Sequence, residues 1–415
     1  MRRQIEGSRA IAETVARCRP GVVPAYPITP QTHIVEGVGA MIKDGTLAPC
    51  EYITVESEFA AMSAAIGASA AGARTYTATA SQGLLYMAEA LFNASGMGLP
   101  VVMTVANRAI GAPINIWNDQ SDSMSMRDCG WIQLYAEDNQ AAVGLHVVAF
   151  RLAEALSVPL MVCMDGFVLT HAFEPIEVPE QEQVDAYLPP YTPRQVLDPD
   201  EPVTIGAMVG PEAFTEVRYL AHHQMGRAIE LFPELADEYE TVTGHALPML
   251  TRYRVEGART VVVVLGSVAG TVKDAVDELD DGTGVVTMAL YRPFPALEVR
   301  AALAGAEHVI VVERAFAPGA GGIVAADIGQ ALAGLNIRIS TVVAGLGGRA
   351  VTISSVKKML GEAKEDRLPQ LSFLDLRTDL IERELSRRDT TPHHKHPLHP
   401  QHLLRDAGAP GSRIG

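Results

Sequence analysis

The sequence predicts an α/β protein built from two doubly wound domains. Helix-like and strand-like segments alternate over residues 5–180 and again beyond residue 259, the pattern of a parallel sheet covered on both faces. Its strand candidates are near-continuous apolar runs, such as Val158-Pro159-Leu160-Met161-Val162-Cys163-Met164 and Thr260-Val261-Val262-Val263-Val264-Leu265, as strands buried on both faces require. With 415 residues, 48% of them hydrophobic and 20% charged, the chain is long enough for two ordinary cores.

In order, Gly7–Arg17 reads as a helix with Ala10, Ile11 and Val15 on one face, and Val22-Val23 opens a strand that ends at Pro27. A helix-like run follows from His33 to Met41. Glu58–Ala71 is a helix of small residues, Thr75–Thr79 a strand and Leu84–Ser95 a helix. Pro100–Ala106 is β-rich, Gln140–Ser157 has helical spacing and Val158–Met164 is another buried strand. Between 181 and 256 the prolines at 189, 190, 193, 199 and 202 break any long element. Phe214–Tyr239 is then helical, with a pause expected at Pro233, giving a connecting arm suited to wrapping a neighbour. A second α/β unit starts near Arg259: strand Thr260–Leu265 with its glycine turn, helix Thr271–Leu279, and strands Val285–Leu290, His308–Glu313 and Ile337–Val343. The expected organisation is thus a domain over 1–180, an arm over 181–256, a domain over 257–375, and a helical end with a His/Pro-rich tail over 376–415. That tail, with His393, His394, His396, His399 and His402, is expected to be a disordered extension with no catalytic role, although such a composition can bind metal.

The balance of 33 basic and 49 acidic side chains, a formal charge of −16, gives no general attraction for nucleic acid. No apolar run of about 18 residues lacks a charge or turn, so no membrane span is expected. The opening Met1-Arg2-Arg3-Gln4-Ile5-Glu6 lacks a signal-peptide core, which points to the cytoplasm. The four cysteines, Cys18, Cys50, Cys129 and Cys163, contain no C-x-x-C pair. They read as buried free thiols rather than ligands of a cluster or a structural zinc.

Four segments carry chemistry. In Tyr26-Pro27-Ile28-Thr29-Pro30-Gln31-Thr32 two prolines restrict the backbone around Thr29, so its hydroxyl can face a small oxyanion; a plain strand-to-helix turn capped by Thr29 or Thr32 is the simpler alternative. In Val55-Glu56-Ser57-Glu58-Phe59-Ala60-Ala61-Met62, Glu58 opens an apolar helix. There it is either a desolvated acid–base carboxyl or an acid complementing the helix dipole, with Glu56 as its competitor. Thr77-Ala78-Thr79-Ala80-Ser81-Gln82-Gly83-Leu84 sets a glycine where close backbone approach is possible. Asn107–Asp122 reads NRAIGAPINIWNDQSD; its Arg108 offers a rigid fork for a carboxylate, or an ion pair to Asp119 or Asp122. Thr29, Ser81 and Arg108 each follow a predicted strand closely, which brings them to one sheet edge, where doubly wound sheets bind ligands.

YPITPQT, ASQG and NRAIGAPINIWNDQSD, in this order and spacing, resemble the pyruvate:ferredoxin oxidoreductase family over about residues 5–375, specifically its separate alpha subunit. The resemblance implies a thiamine-diphosphate pyrimidine-binding-type domain followed by a transketolase C-terminal-like domain. It implies oxidative decarboxylation of pyruvate with coenzyme A, in either direction, with electrons passing to ferredoxin. On this likeness Glu58 faces the aminopyrimidine of thiamine diphosphate, Arg108 binds the 2-oxoacid carboxylate, and Thr29 assists through its hydroxyl. No Gly-Asp-Gly is present, so the Mg²⁺–diphosphate half of the cofactor site and the iron–sulfur clusters are expected on partner chains of beta, gamma and delta type. Two departures from the family are Ser8-Arg9 after Gly7, where members often carry Asn and Glu, and Ala350 in Gly345-Leu346-Gly347-Gly348-Arg349-Ala350-Val351-Thr352, in place of a common aspartate. Alternatives are another 2-oxoacid (2-oxoisovalerate, 2-oxoglutarate, oxalate), a non-catalytic scaffold subunit, and a transketolase-like transferase. His171 and the His222-His223 pair have no accompanying Ser or Cys motif and suit packing or surface roles.

Overall fold

The computed structural model describes residues 2–390. The chain divides into two compact units, one running to Ser372 and the other beginning at Phe373. In the first unit the elements run β1 (Arg3–Glu6), α1 (Gly7–Arg17), β2 (Val22–Ala25), α2 (Thr32–Lys43), β3 (Glu51–Thr54), α3 (Glu58–Ala70), β4 (Tyr76–Thr79), α4 (Ser81–Tyr86), α5 (Ala88–Gly96), β5 (Val102–Asn107), α6 (Ser121–Ser125), β6 (Ile132–Tyr135), α7 (Asn139–Leu156), β7 (Leu160–Asp165), β8 (Phe173–Ile176), α8 (Gln181–Tyr187) and α9 (Phe214–Thr243). They continue with β9 (Leu250–Tyr253), β10 (Thr260–Val264), α10 (Val268–Leu279), β11 (Gly284–Met288), β12 (Leu290–Arg292), α11 (Ala296–Leu303), β13 (His308–Glu313), α12 (Val324–Ala331), β14 (Arg338–Val343) and α13 (Ile353–Lys364). The second unit carries a helix, Thr378–Thr390. Most of the His/Pro-rich tail lies outside the described residues.

The two predicted sheets are present. One has the order β12-β6-β7-β5-β4, parallel except for β12. The parallel pair β2-β3 follows on through a parallel bridge from Val22 to Thr75. The other contains β14-β13-β10-β11-β9 in that order, with β9 antiparallel at its edge. Every residue of β5, β7 and β13 is buried, which explains their near-continuous apolar character.

The sheets do not have separate cores. One hydrophobic cluster joins α1 and α7 to Phe232 and Tyr239 of α9; the other runs unbroken from Met62, Leu91 and Trp131 to Val261, Val286 and Leu303 of the second sheet and its helices. The strand expected over Val285–Leu290 is divided for the same reason. Its first part stays in the second sheet, while β12 crosses to pair antiparallel with β6, Leu290 opposite Leu134.

Two helices differ from expectation. The run Leu84–Ser95 breaks at Met87 into α4 and α5, and α4 begins earlier, at Ser81. Helix α9 passes through Pro233 without a pause. Proline there removes one hydrogen bond, but Phe232, Leu235, Ala236 and Tyr239 on both sides of it are buried, and Tyr187 donates its hydroxyl to the Leu235 carbonyl at 3.0 Å. That packing holds the helical path through the missing bond.

Candidate functional site

The carboxyl ends of β2, β4 and β5 bring the sequence motifs together. Arg108, one residue past β5, is buried. Its Nη1 donates to the Thr29 carbonyl at 2.8 Å and its Nε to the Asn115 carbonyl at 3.3 Å. Burial pulls the guanidinium below its ordinary range, with the Asp122 charge acting the other way. Arg108 therefore makes no side-chain ion pair with Asp119 or Asp122; Asp122 takes its backbone N–H instead.

Thr29 is exposed at the mouth of this arrangement. Helix α2 begins at Thr32 with Gln31 in the cap position and no side-chain cap, so neither threonine caps it. Gln31 is the pin of the turn: it is fully buried, and its Nε2 donates to the carbonyls of Tyr26 at 3.0 Å and Ala78 at 2.7 Å. This ties the YPITPQT turn to β4. Nothing in the sequence singled Gln31 out from its neighbours; only its own burial and its two carbonyl partners explain its role.

Glu58 opens α3, with Ser57 as N-cap accepting from the Ala60 N–H at 3.2 Å. Glu58 is 8% exposed whereas Glu56 is exposed, which separates the two candidates. The Glu58 carboxylate lies against the start of α4: a methyl group at Gly83 would sit 2.7 Å from Glu58 Oε1 and 2.6 Å from Thr79 Oγ1. Among the described residues no donor is paired with that carboxylate, and Thr79 Oγ1 is a buried hydroxyl without a hydrogen-bond partner. A buried acid beside an unpaired hydroxyl and a bare Cα fits a ligand ring that offers its own donors. The pyrimidine end of thiamine diphosphate is such a ring.

The centre of the construction is Asp122, which sequence reading noted only as a possible ion-pair partner. It is fully buried and accepts four N–H groups: Ser81 N and Arg108 N on Oδ2, each at 2.9 Å, and Asn107 Nδ2 and Ser123 N on Oδ1, each at 2.8 Å. Burial pushes the carboxyl up to about 6, against the pull of those donors. Ser81, at φ +52°, is held in the left-handed region, and its hydroxyl donates to the Ala109 carbonyl at 2.6 Å.

The loop after Arg108 reaches the second sheet. Asn115 Nδ2 donates to the Gly347 carbonyl at 3.2 Å, Gly347 N donates to Asp119 Oδ2 at 3.0 Å, and Gln120 N donates to the Arg314 carbonyl at 2.8 Å. Gly347 and Gly348 have φ of +58° and +80°, and Trp117 packs where a side chain on Gly348 would be. The Gly345–Thr352 word is thus a receiving surface held by Asn115 and Asp119, with Thr352 capping α13. Below it, Asp165 at the end of β7 accepts from Ser267 N at 2.8 Å, Ser267 Oγ at 2.5 Å and Arg314 Nη1 at 2.8 Å, joining the carboxyl ends of β7, β10 and β13. Ser8 donates to the Thr170 carbonyl at 2.7 Å, a contact available to it as a hydroxyl. A cleft of about 870 Å³ lies elsewhere, beside Met97, Arg127, Arg218 and Phe294, and includes none of Thr29, Glu58 and Arg108.

The cysteines are all free. Burial pushes the thiols of Cys18 and Cys129 up to about 12 and that of Cys50 to about 11. No helix among the described residues is long and apolar enough to cross a membrane.

A parallel α/β sheet with a buried acid at a helix start, clasped to a second α/β sheet, is a chain of the thiamine-diphosphate-binding class. Residues 13–236 match the family model described as pyruvate flavodoxin/ferredoxin oxidoreductase, thiamine diphosphate-binding, and residues 258–356 match pyruvate:ferredoxin oxidoreductase core domain II. The chain belongs to the pyruvate flavodoxin/ferredoxin oxidoreductase family. It is 44% identical to pyruvate synthase subunit PorA of Methanosarcina barkeri, over 91% of this chain and 97% of the relative. It is 38% identical to ketoisovalerate oxidoreductase subunit VorA of Pyrococcus abyssi, over 88% and 94%. A solved 2-oxoglutarate:ferredoxin oxidoreductase from Magnetococcus marinus, with 2-oxoglutarate, coenzyme A and succinyl-CoA bound, shares the fold at a TM-score of 0.65 and 21% identity; the match covers 87% of this chain and 65% of that one.

Proposed function

We propose that this chain is the alpha-type subunit of a pyruvate:ferredoxin oxidoreductase (pyruvate synthase), which converts pyruvate and coenzyme A to acetyl-CoA and CO2, and the reverse, with electrons passing to ferredoxin. The observation that supports the reading is that Asp122 ties Ser81, at the head of the helix whose Gly83 faces Glu58, to Arg108, whose guanidinium holds the Thr29 carbonyl. Thiamine diphosphate, when bound, supplies the electron sink for breaking the bond to the 2-oxoacid carboxyl.

The roles of the chain's own residues follow from their chemistry. Glu58 holds and moves a proton at the aminopyrimidine, a task for a carboxyl shielded from water. Gly83 leaves room for a ring to approach that carboxyl. Arg108 spends Nη1 and Nε on two carbonyls, which aims its fork; Nη2 is left for the 2-oxoacid carboxylate. The Thr29 hydroxyl, at the exposed mouth, donates to the same group.

The remaining parts belong to other chains. The four free cysteines are scattered along the sequence with no C-x-x-C pair, unlike the clustered ligands of an iron–sulfur centre, and no Gly-Asp-Gly is present. We therefore assign Mg²⁺ with the diphosphate to a beta-type chain and the iron–sulfur clusters to further partners of gamma and delta type, with the assembly in the cytoplasm. The likeness to a ketoisovalerate enzyme subunit makes 2-oxoisovalerate the second substrate reading.

The test is to isolate the chain with its native partners and assay the complex with pyruvate, 2-oxoisovalerate and 2-oxoglutarate, each with coenzyme A and a low-potential dye. The proposal expects iron, sulfide and thiamine diphosphate in the complex and a preference for pyruvate. A chain that elutes alone would overturn it, and preference for another 2-oxoacid would overturn the substrate assignment.

A further inference from the structure

Three side chains with metal-ligating chemistry converge from distant parts of the chain. Glu6 ends β1, His33 lies in the first turn of α2, and His171 follows β7; one ligand atom from each lies within 4.8 Å of the others. They are the one such group among the described residues. Glu6 is buried, His171 half-buried and His33 exposed, so the cluster has a fixed floor and one face open to solvent.

We propose that Glu6, His33 and His171 form a binding site for a divalent transition metal of the Zn²⁺ type. Two imidazoles and one carboxylate are an ordinary donor set for such an ion, leaving further positions to water. The Glu6–His33 contact, Nδ1 to Oε1 at 2.6 Å, already brings two of the three donor groups together, and a metal would take the place of the proton between them. A second partner orients the third ligand: His171 Nδ1 is 2.7 Å from Thr170 Oγ1, leaving Nε2 for the ion, the usual support of a metal-bound imidazole. Arg9 opposes the ion: its Nε is 3.7 Å from Glu6 Oε2.

The site would also bear on the Arg108 loop. Ring stacking runs from His33 to His171 (4.8 Å between centroids), to Phe167 (4.8 Å) and to Trp117 (4.9 Å), and the Trp117 carbonyl accepts the Ala109 N–H at 3.0 Å. An ion holding both imidazoles fixes one end of that stack.

The full-length chain should be titrated with Co²⁺ alone, followed by its visible d–d absorption. The background is a variant with His393, His394, His396, His399 and His402 changed to alanine, so that the tail does not contribute. One equivalent should bind. His33→Ala, His171→Ala and Glu6→Gln should each weaken it more than tenfold, since losing even an outer partner of a metal site costs that much. Arg9→Ala should tighten binding, which a cluster with only a packing role would not show. Unchanged melting of the metal-free variants would verify that they fold. No bound equivalent, or binding indifferent to His33 and Glu6, would overturn the proposal.

Discussion

Asp122 holds the backbone N–H groups of Ser81 and Arg108 on a single carboxylate oxygen, each at 2.9 Å. The turn that faces Glu58 and the loop that carries Arg108 are therefore set by one side chain. Its pH behaviour follows. Burial raises the carboxyl from 3.8 to about 6, so the folded chain retains a proton that the unfolded chain releases. The stability this contributes is present below about pH 4 and is lost as pH rises through about 6. Asp122→Asn has no such loss. Unfolding free energies of the two proteins from urea titrations should diverge between pH 4 and 7 by on the order of 3 kcal/mol, wild type losing ground; parallel curves would contradict the burial argument.

Gly83 leaves Glu58 its room. Gly83→Ala sets a methyl group 2.7 Å from Oε1 and must displace the carboxylate. Glu58→Gln removes its proton transfer, which is worth roughly 10²–10⁴-fold. Turnover in the assembled complex should fall on that scale for Glu58→Gln and by at least about tenfold for Gly83→Ala. Partner retention in a pull-down should be unchanged in both.

The two sheets are clasped by Asp165. With Arg314 and Asp165 both buried, Asp165→Ala leaves a guanidinium without its carboxylate and should cost roughly 3–5 kcal/mol. A thermal melt would show it. Asp165→Asn, which can still accept a hydrogen bond, should lose less.

Thiol chemistry checks the burial map. Cys18, Cys129 and Cys163 are buried and held protonated, and Cys50 is half-buried. A thiol reagent at pH 8 should modify Cys50 slowly and the others only after denaturation. Rapid reaction of two or more thiols in the native chain would contradict the packing.

Much of this was legible in the residues. Alternation of apolar strands with helices identified both sheets, and the fact that Thr29, Ser81 and Arg108 each follow a strand placed them on one edge by topology alone. Pattern could not show where the sheets share a core. The segment Val285–Leu290 looks like one strand, yet Leu290 pairs across to Leu134, a choice made by tertiary packing. The hub was hidden for a related reason. Asp122 sits in an acidic, polar stretch, Asn118-Asp119-Gln120-Ser121-Asp122, where no residue stands out from its neighbours, and only its burial and four N–H donors mark it out. Gln31 was hidden likewise, because its partners are backbone carbonyls.

The central claim is that Arg108, aimed by the Thr29 and Asn115 carbonyls, binds the substrate carboxylate. The direct measurement is steady-state kinetics of the assembled complex carrying Arg108→Ala, with pyruvate, coenzyme A and electron acceptor varied in turn. Loss of a charged partner from a buried pair is worth about 2–5 kcal/mol, so kcat/KM for pyruvate should fall by about 30- to several thousand-fold, with half-saturation for coenzyme A and acceptor little changed and assembly intact. An assembled complex whose use of pyruvate is indifferent to Arg108 would contradict the account.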